Sequence, residues 1–133
     1  MKVVRILLIL ALAYAGVVVV FESLIGYFQP AGQGTIVITT VDANGEPHDR
    51  VVSRLDSDGK LYVAANHWPR AWYRQALANP DVQITIDGER RDVRAVPVDS
   101  AEHERLMREH AHGIVFRILT GFPPRKFMRL DPR

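Results

Sequence analysis

The chain has 133 residues, 47% of them hydrophobic and 24% charged, with a net charge of +2 and no cysteine. That length bounds one globular domain of modest core. The near-neutral balance excludes a dedicated nucleic-acid binder, and the missing thiols exclude disulfide staples and cysteine chemistry.

The N-terminal segment comes first. Residues 6–21 carry no charge, and from Val3 onward only Arg5 interrupts the apolar run. At about 1.5 Å per residue, residues 3–21 reach roughly 28 Å, close to the hydrocarbon thickness of a bilayer. Arg5 lies one turn from the end, within snorkelling reach of headgroups. A signal peptide is a second reading, because Ala13-Tyr14-Ala15 has small-x-small spacing after an apolar run. Cleavage there would leave residues 16–21 as an exposed greasy terminus. A buried core helix is the third, but four successive valines, Val17 to Val20, show no polar stripe. The expectation is a membrane anchor over residues 1–28, touching lipid through residues 3–21, ahead of a domain at residues 29–133. Lys2 and Arg5 precede the span and the next basic residue is Arg50. The positive-inside rule therefore points to an extracytoplasmic domain, with the cytoplasmic side left open.

Past the junction marked by Gly26, Pro30, Gly32 and Gly34, a β-branched run predicts a strand over Thr35–Val41. Asn44-Gly45 turns it, residues 50–55 return, and Asp58-Gly59 leads into a strand over Lys60–Ala65. Residues 69–78 predict a helix, with Pro69 suited to its first position and Asn79-Pro80 ending it. Val82, Ile84 and Ile86 alternate with polar neighbours, the mark of a half-buried strand. Asp87-Gly88 signals another hairpin, and residues 91–98 return with Val93 and Ala95 inward. Asp99 or Ser100 caps a helix over residues 101–112, with Glu102 and Glu104 in its favourable first turn. A last strand falls near residues 126–130. Hairpins join antiparallel strands, and closure buries their edges. The expected fold class is mainly β (α+β): an antiparallel split or closed barrel with two short helices, preceded by a transmembrane helix.

Familiar catalytic constellations are missing. There is no Gly-x-Ser-x-Gly elbow, no Gly-Lys-Ser/Thr phosphate loop and no His-Glu-x-x-His. His103 and His110 share a helical face two turns apart, which is poor metal-ligand spacing, so no metal site is expected. A chain this short of acid, base and nucleophile can still be an enzyme where a cofactor carries the chemistry. Hydride transfer from a flavin or deazaflavin needs mainly a slot, orientation and electrostatics.

Residues 66–82 are the densest in recognition chemistry, crowding Trp68, Trp72, Tyr73, Arg70 and Arg74 into one short helix and its approach. So small a helix cannot bury all of them, and a flat anionic ligand would suit those that remain. Trp72 and Leu77 read first as packing. Arg70 and Arg74 stand at i, i+4, where like charges cost a few tenths of a kcal/mol. A phosphate or carboxylate would turn that repulsion into attraction, and two solvated arginines are the plain alternative. Arg50 and Arg54 point to one side of their strand, with Asp49 and Asp56 near enough to neutralise them.

The pair Trp72-Tyr73, followed by Leu77 and Asn79-Pro80, resembles the helix of the deazaflavin-dependent nitroreductase family within the FMN-binding split-barrel superfamily. The resemblance covers residues 35–98 well and the C-terminal third loosely. It implies that Ala64, Ala65, Asn66 and His67 run under a ring system, with Trp68, Trp72 and Tyr73 beside them. It also implies that Arg50, Arg54 and Arg70 hold the cofactor phosphate, and that Tyr73 or His67 steers or protonates the product. The activity implied is hydride transfer to a small hydrophobic acceptor, a quinone or nitro compound, by a membrane-anchored oxidoreductase that could pair as a homodimer. Family members carry a basic turn between strands one and two, whereas residues 41–47 here form an acidic one. FMN and haem therefore stay open beside the deazaflavin coenzyme. The alternative is a non-catalytic module that binds haem, lipid or a partner protein at the membrane. Arg117, Arg125, Lys126, Arg129 and Arg133 oppose Asp131 alone in a basic tail. That tail suits anionic headgroups or an anionic cofactor, or is simply a solvated rim. Ile118, Leu119 and Phe122 could dip toward the bilayer or cover the pocket.

Overall fold

A computed structural model of the chain describes residues 1–28, 34–65, 71–122 and 124–133, giving backbone alone at residues 25–28. The chain divides into two compact units: Met1–Gln29 with His112–Pro123, and Pro30–Ala111 with Pro124–Arg133.

The second unit is a closed antiparallel barrel. Its strands are β1 (Thr35–Val41), β2 (Pro47–Ser57), β3 (Lys60–Ala65), β4 (Asp81–Ile86), β5 (Glu89–Pro97) and β6 (Lys126–Pro132), in the order β1-β2-β3-β6-β5-β4 with β4 back on β1. Asp58 and Gly59, and again Asp87 and Gly88, all have positive φ. Two successive left-handed residues are what a tight hairpin requires, which is why Asp-Gly marked both turns. Strand β2 begins earlier than the apolar pattern predicts. Its exposed residues 47–49 still pair with β1, at Val41↔Pro47, Thr40↔His48 and Thr39↔Asp49, because a main-chain ladder needs no apolar side chain.

Alternation decides the core. Ile36, Ile38, Val52, Val63, Ala65, Val82, Ile84, Val93, Ala95, Met128 and Leu130 form one buried cluster inside the barrel. Residues of opposite parity, Leu55, Tyr62, Ala64 and Phe127, meet Leu106 on the outer surface. Leu106 belongs to α3 (Ser100–Glu109), whose N-cap Asp99 accepts a 2.8 Å bond from the Glu102 amide. Helix α2 (Ala71–Ala78) buries Trp72 and Ala76 against β1 and β5. Its expected start at Pro69 lies outside the described residues.

The first unit holds α1 (Lys2–Phe28) and α4 (Ile114–Leu119). Within α1, Lys2–Leu24 has a mean hydropathy of 2.7, long and apolar enough to cross a membrane. Helix α4 is a third short helix where the sequence predicts two. The helix expected over residues 101–112 ends at Glu109, and Gly113 then caps a new start. Six residues, apolar apart from Arg117, give no periodic signal by which α4 could be foreseen.

Candidate functional site

The barrel unit carries a cleft of about 310 Å³ lined by Thr40, His48, Asp49, Arg50, Ala71, Trp72 and Gln75. Register explains its make-up. Ile38 pairs with Arg50 and Thr40 with His48, so both basic side chains have the inward parity of Ile38 at the end of β2 that meets α2. The Thr40 side chain is fully buried, and its hydroxyl donates a 2.7 Å bond to the Gln75 amide oxygen. That bond fixes α2 to β1. Trp72 is buried in the barrel core and meets Tyr73 edge to face, with ring centroids 5.8 Å apart.

Beside this cleft the β1–β2 turn folds on itself. Asp42 accepts from the amides of Asn44 and Glu46, and His48 Nε2 lies 2.8 Å from its other oxygen. The His48 contact is the largest influence holding the Asp42 carboxyl below its usual range, and the Glu46 amide adds to it. Asp42, Glu46 and His48 bring their ligand atoms within 4.8 Å of one another. Their two-residue and four-residue spacings across a hairpin are the signal that could have found them.

A second cleft, of about 380 Å³, lies on the outside of the barrel near α3. Tyr73, His103, Phe127 and Lys126 line it, with Val98, Asp99, Ser100 and Glu104 at its edges. The His103 and Phe127 rings stand edge to face at 5.1 Å.

The residues marked by sequence divide as follows. Arg50 and Trp72 share the first cleft, and Tyr73 faces the second. Arg54 shares a strand face with Arg50, but Val52 separates them and Arg54 is fastened to Asp56 at 3.0 and 3.3 Å. Ala64 and Ala65 are both buried and face opposite ways, Ala64 toward Leu106 and Phe127, Ala65 into the barrel. Adjacent strand residues send their side chains to opposite faces. Asn66, His67, Trp68 and Arg70 lie outside the described residues. Arg74 is exposed.

Beneath α3 runs a polar network that sequence reasoning misses. The Tyr62 hydroxyl donates to Glu102 Oε2 at 2.7 Å, and Arg129 donates to both Glu102 oxygens at 3.0 and 3.1 Å. Arg129 also forks onto Asp131, and Arg105 reaches Ser57 and the Tyr62 oxygen. Burial alone would raise the Glu102 pKa, but bonds from Tyr62 and Arg129 outweigh it and hold the carboxyl below the usual range. Burial and the Glu102 bond push the Tyr62 phenol up. Arg125 donates to the His110 carbonyl and lies 4.9 Å over the Phe127 ring. Arg133 pairs with Asp81 and Asp92. Most of the basic tail is thus committed within the barrel unit.

A closed six-strand antiparallel barrel with short helices on its surface is a fold shared with an F420-H2 dependent reductase and with a heme storage protein. The chain belongs to the F420H(2)-dependent quinone reductase family, whose model matches residues 18–115. Deazaflavin is the family's cofactor, and the protein is accordingly a flavin/deazaflavin-type oxidoreductase. Solved structures share the fold. An F420-H2 dependent reductase, FDR-A, is 17% identical over 73% of this chain and 94% of its own, with a TM-score of 0.53. The heme storage protein HutZ from Vibrio cholerae is 19% identical over 85% of each chain, with a TM-score of 0.54. A chain described as a domain-swapped dimer is 16% identical over 76% of this chain and 82% of its own, with a TM-score of 0.60. No curated protein matches the sequence.

Proposed function

We propose that the protein is a membrane-tethered reductase that delivers hydride from a reduced deazaflavin to a lipid-soluble quinone or nitro compound. The observation that carries the reading is a combination in one chain: a quinone-reductase-family barrel behind a helix long and apolar enough to cross a bilayer. Residues 1–28 would be the anchor, and Lys2 and Arg5 favour a cytoplasmic N-terminus.

The donors of the first cleft suit an anionic, planar cofactor. Arg50 supplies a fork for a phosphate, and His48 and Ala71 line the same cleft. Trp72 closes the inner side. When bound, the reduced deazaflavin supplies the hydride. Asn66, His67, Trp68 and Arg70 join Ala65 to α2 and would complete the edge of the ring site. His67, or Tyr73 from the second cleft on the same helix as Trp72, would steer the acceptor or give the proton that turns the hydride adduct into hydroquinone. Arg54, held by Asp56, would add only long-range charge. A homodimer is supported by the fold shared with a domain-swapped dimer.

The test is turnover by the full-length protein in lipid vesicles. Oxidation of the reduced deazaflavin, followed by its absorbance, should require an added quinone. A protein that binds deazaflavin but never oxidises it in the presence of quinones or nitro compounds would overturn the reading. Uptake of haem instead would favour a binding role, since the fold is shared with a heme storage protein.

A further inference from the structure

Helix α4 is built for an apolar medium. Ile114, Val115, Ile118 and Phe122 expose between 43% and 67% of their surfaces, a density of bare apolar groups that water does not favour over so few residues. The unit's other member is α1, whose Lys2–Leu24 stretch has none of its most apolar window buried. The two helices touch at Phe21 and Phe116, whose rings meet edge to face at 6.1 Å. They touch again at Tyr14, whose hydroxyl donates a 2.8 Å bond to the Ile118 carbonyl.

The carbonyls of Phe116, Arg117 and Ile118, at the end of α4, are all engaged within this unit, one of them by α1. Ile118 O accepts from both Tyr14 and the Gly121 amide, and Arg117 O accepts from the Phe122 amide. Phe116 O accepts from the Thr120 amide and hydroxyl. Gly121 has φ +73°, which completes a Schellman cap. A helix end satisfied in this way can sit in hydrocarbon without leaving these carbonyls unpaired.

Depth follows from helix geometry. Tyr14, Val18 and Phe21 lie about 18, 24 and 28 Å along α1 from Lys2. In a hydrocarbon layer roughly 30 Å thick they therefore occupy the half far from the N-terminus. We infer that α4 is immersed in that distal leaflet as the membrane partner of α1, with the lipid acyl chains as the occupant of its exposed face. Phe116, paired with Phe21 near the boundary, sets Arg117 at headgroup level. There its guanidinium, 5.5 Å over the Phe122 ring, meets lipid phosphates. The inference rests on the tethered reading above. It adds that the segment bearing α4 inserts as well.

Because the chain has no cysteine, single-cysteine variants report one position each. An environment-sensitive fluorophore would be placed by Val115→Cys or Ile118→Cys on α4, by Ile9→Cys on α1, and by Glu104→Cys on α3. The full-length protein would then be reconstituted in phosphatidylcholine and phosphatidylglycerol vesicles containing spin-labelled acyl chains. The α4 and α1 labels should emit in the blue-shifted range and be quenched by the acyl-chain label, while the Glu104→Cys label should not. Unquenched α4 labels beside a quenched Ile9→Cys label would overturn the immersion of α4 and leave the tether standing. Loss of quenching at Ile9→Cys as well would overturn both.

Discussion

The Tyr62 hydroxyl and the Glu102 carboxylate meet at 2.7 Å, joining β3 to α3 across a surface where both side chains are largely shielded from water. Arg129 completes the pair from β6. Removing the carboxylate takes away the acceptor of the Tyr62 hydroxyl and one of the two carboxylates that hold Arg129. Glu102→Ala should therefore cost about 2 kcal/mol of barrel stability by the usual value of a charged hydrogen bond. Chemical denaturation of the wild type and the variant would read this directly.

The same contact gives the barrel a pH signature. The folded Glu102 carboxyl sits below its unfolded value of 4.5. Its contribution is thus complete above pH 4.5 and is lost as the pH falls through the lower, folded value. Wild-type melting temperature should drop across that window more steeply than that of Glu102→Gln, which has no proton to take up there. Parallel slopes for the two proteins would remove Glu102 as the source.

How much of this was legible in the sequence differs by element. The Asp58-Gly59 and Asp87-Gly88 turns could be read because two left-handed residues in a row admit few side chains. The strands with alternating residues, such as β4, could be read because one face is buried. The Tyr62–Glu102–Arg129 network could not, since its members lie on three elements far apart in the chain and only barrel closure brings them together. Arg54 shows the limit of parity reasoning. Strand period placed it on the same face as Arg50, but distance along β2 and the neighbouring Asp56 decide which arginine reaches the cleft. Ala64 and Ala65 show the reverse, where period alone sends neighbours to opposite sides.

Arg50→Ala should weaken deazaflavin binding roughly 10- to 100-fold, the equivalent of one charge-assisted hydrogen bond or fork to an anion. Arg54→Ala should change it about twofold or less, because its guanidinium is already engaged at an exposed pair of small energetic weight. Fluorescence titration of the cofactor against each variant separates the two. Equal losses would place Arg54 at the cofactor too.

Thr40→Val keeps the shape of a buried side chain and removes its hydroxyl. The Gln75 amide oxygen then loses the partner that binds α2 to β1. A cost of about 1–2 kcal/mol follows, for a half-buried acceptor left to find water. Because Trp72 and Ala71 ride on the same helix, cofactor affinity should fall with stability. A stable variant with unchanged affinity would show that α2 is held by its apolar contacts alone.

Gly121 answers for the fit of α4 against α1 on two separate counts. Its φ of +73° is left-handed, and a Cβ there would stand 3.1 Å from Val18 Cγ1. Gly121→Ala should therefore destabilise the helix pair by about 1–2 kcal/mol from backbone conformation alone, with crowding against Val18 in addition. Val18→Ala in the same chain should relieve the crowding and leave the backbone penalty, so the double variant should recover only part of the loss. Protease susceptibility of residues 112–122 in detergent-solubilised protein measures the opening of this pair. Full rescue would assign the whole effect to Val18, and no rescue would assign it to the backbone of the Schellman cap.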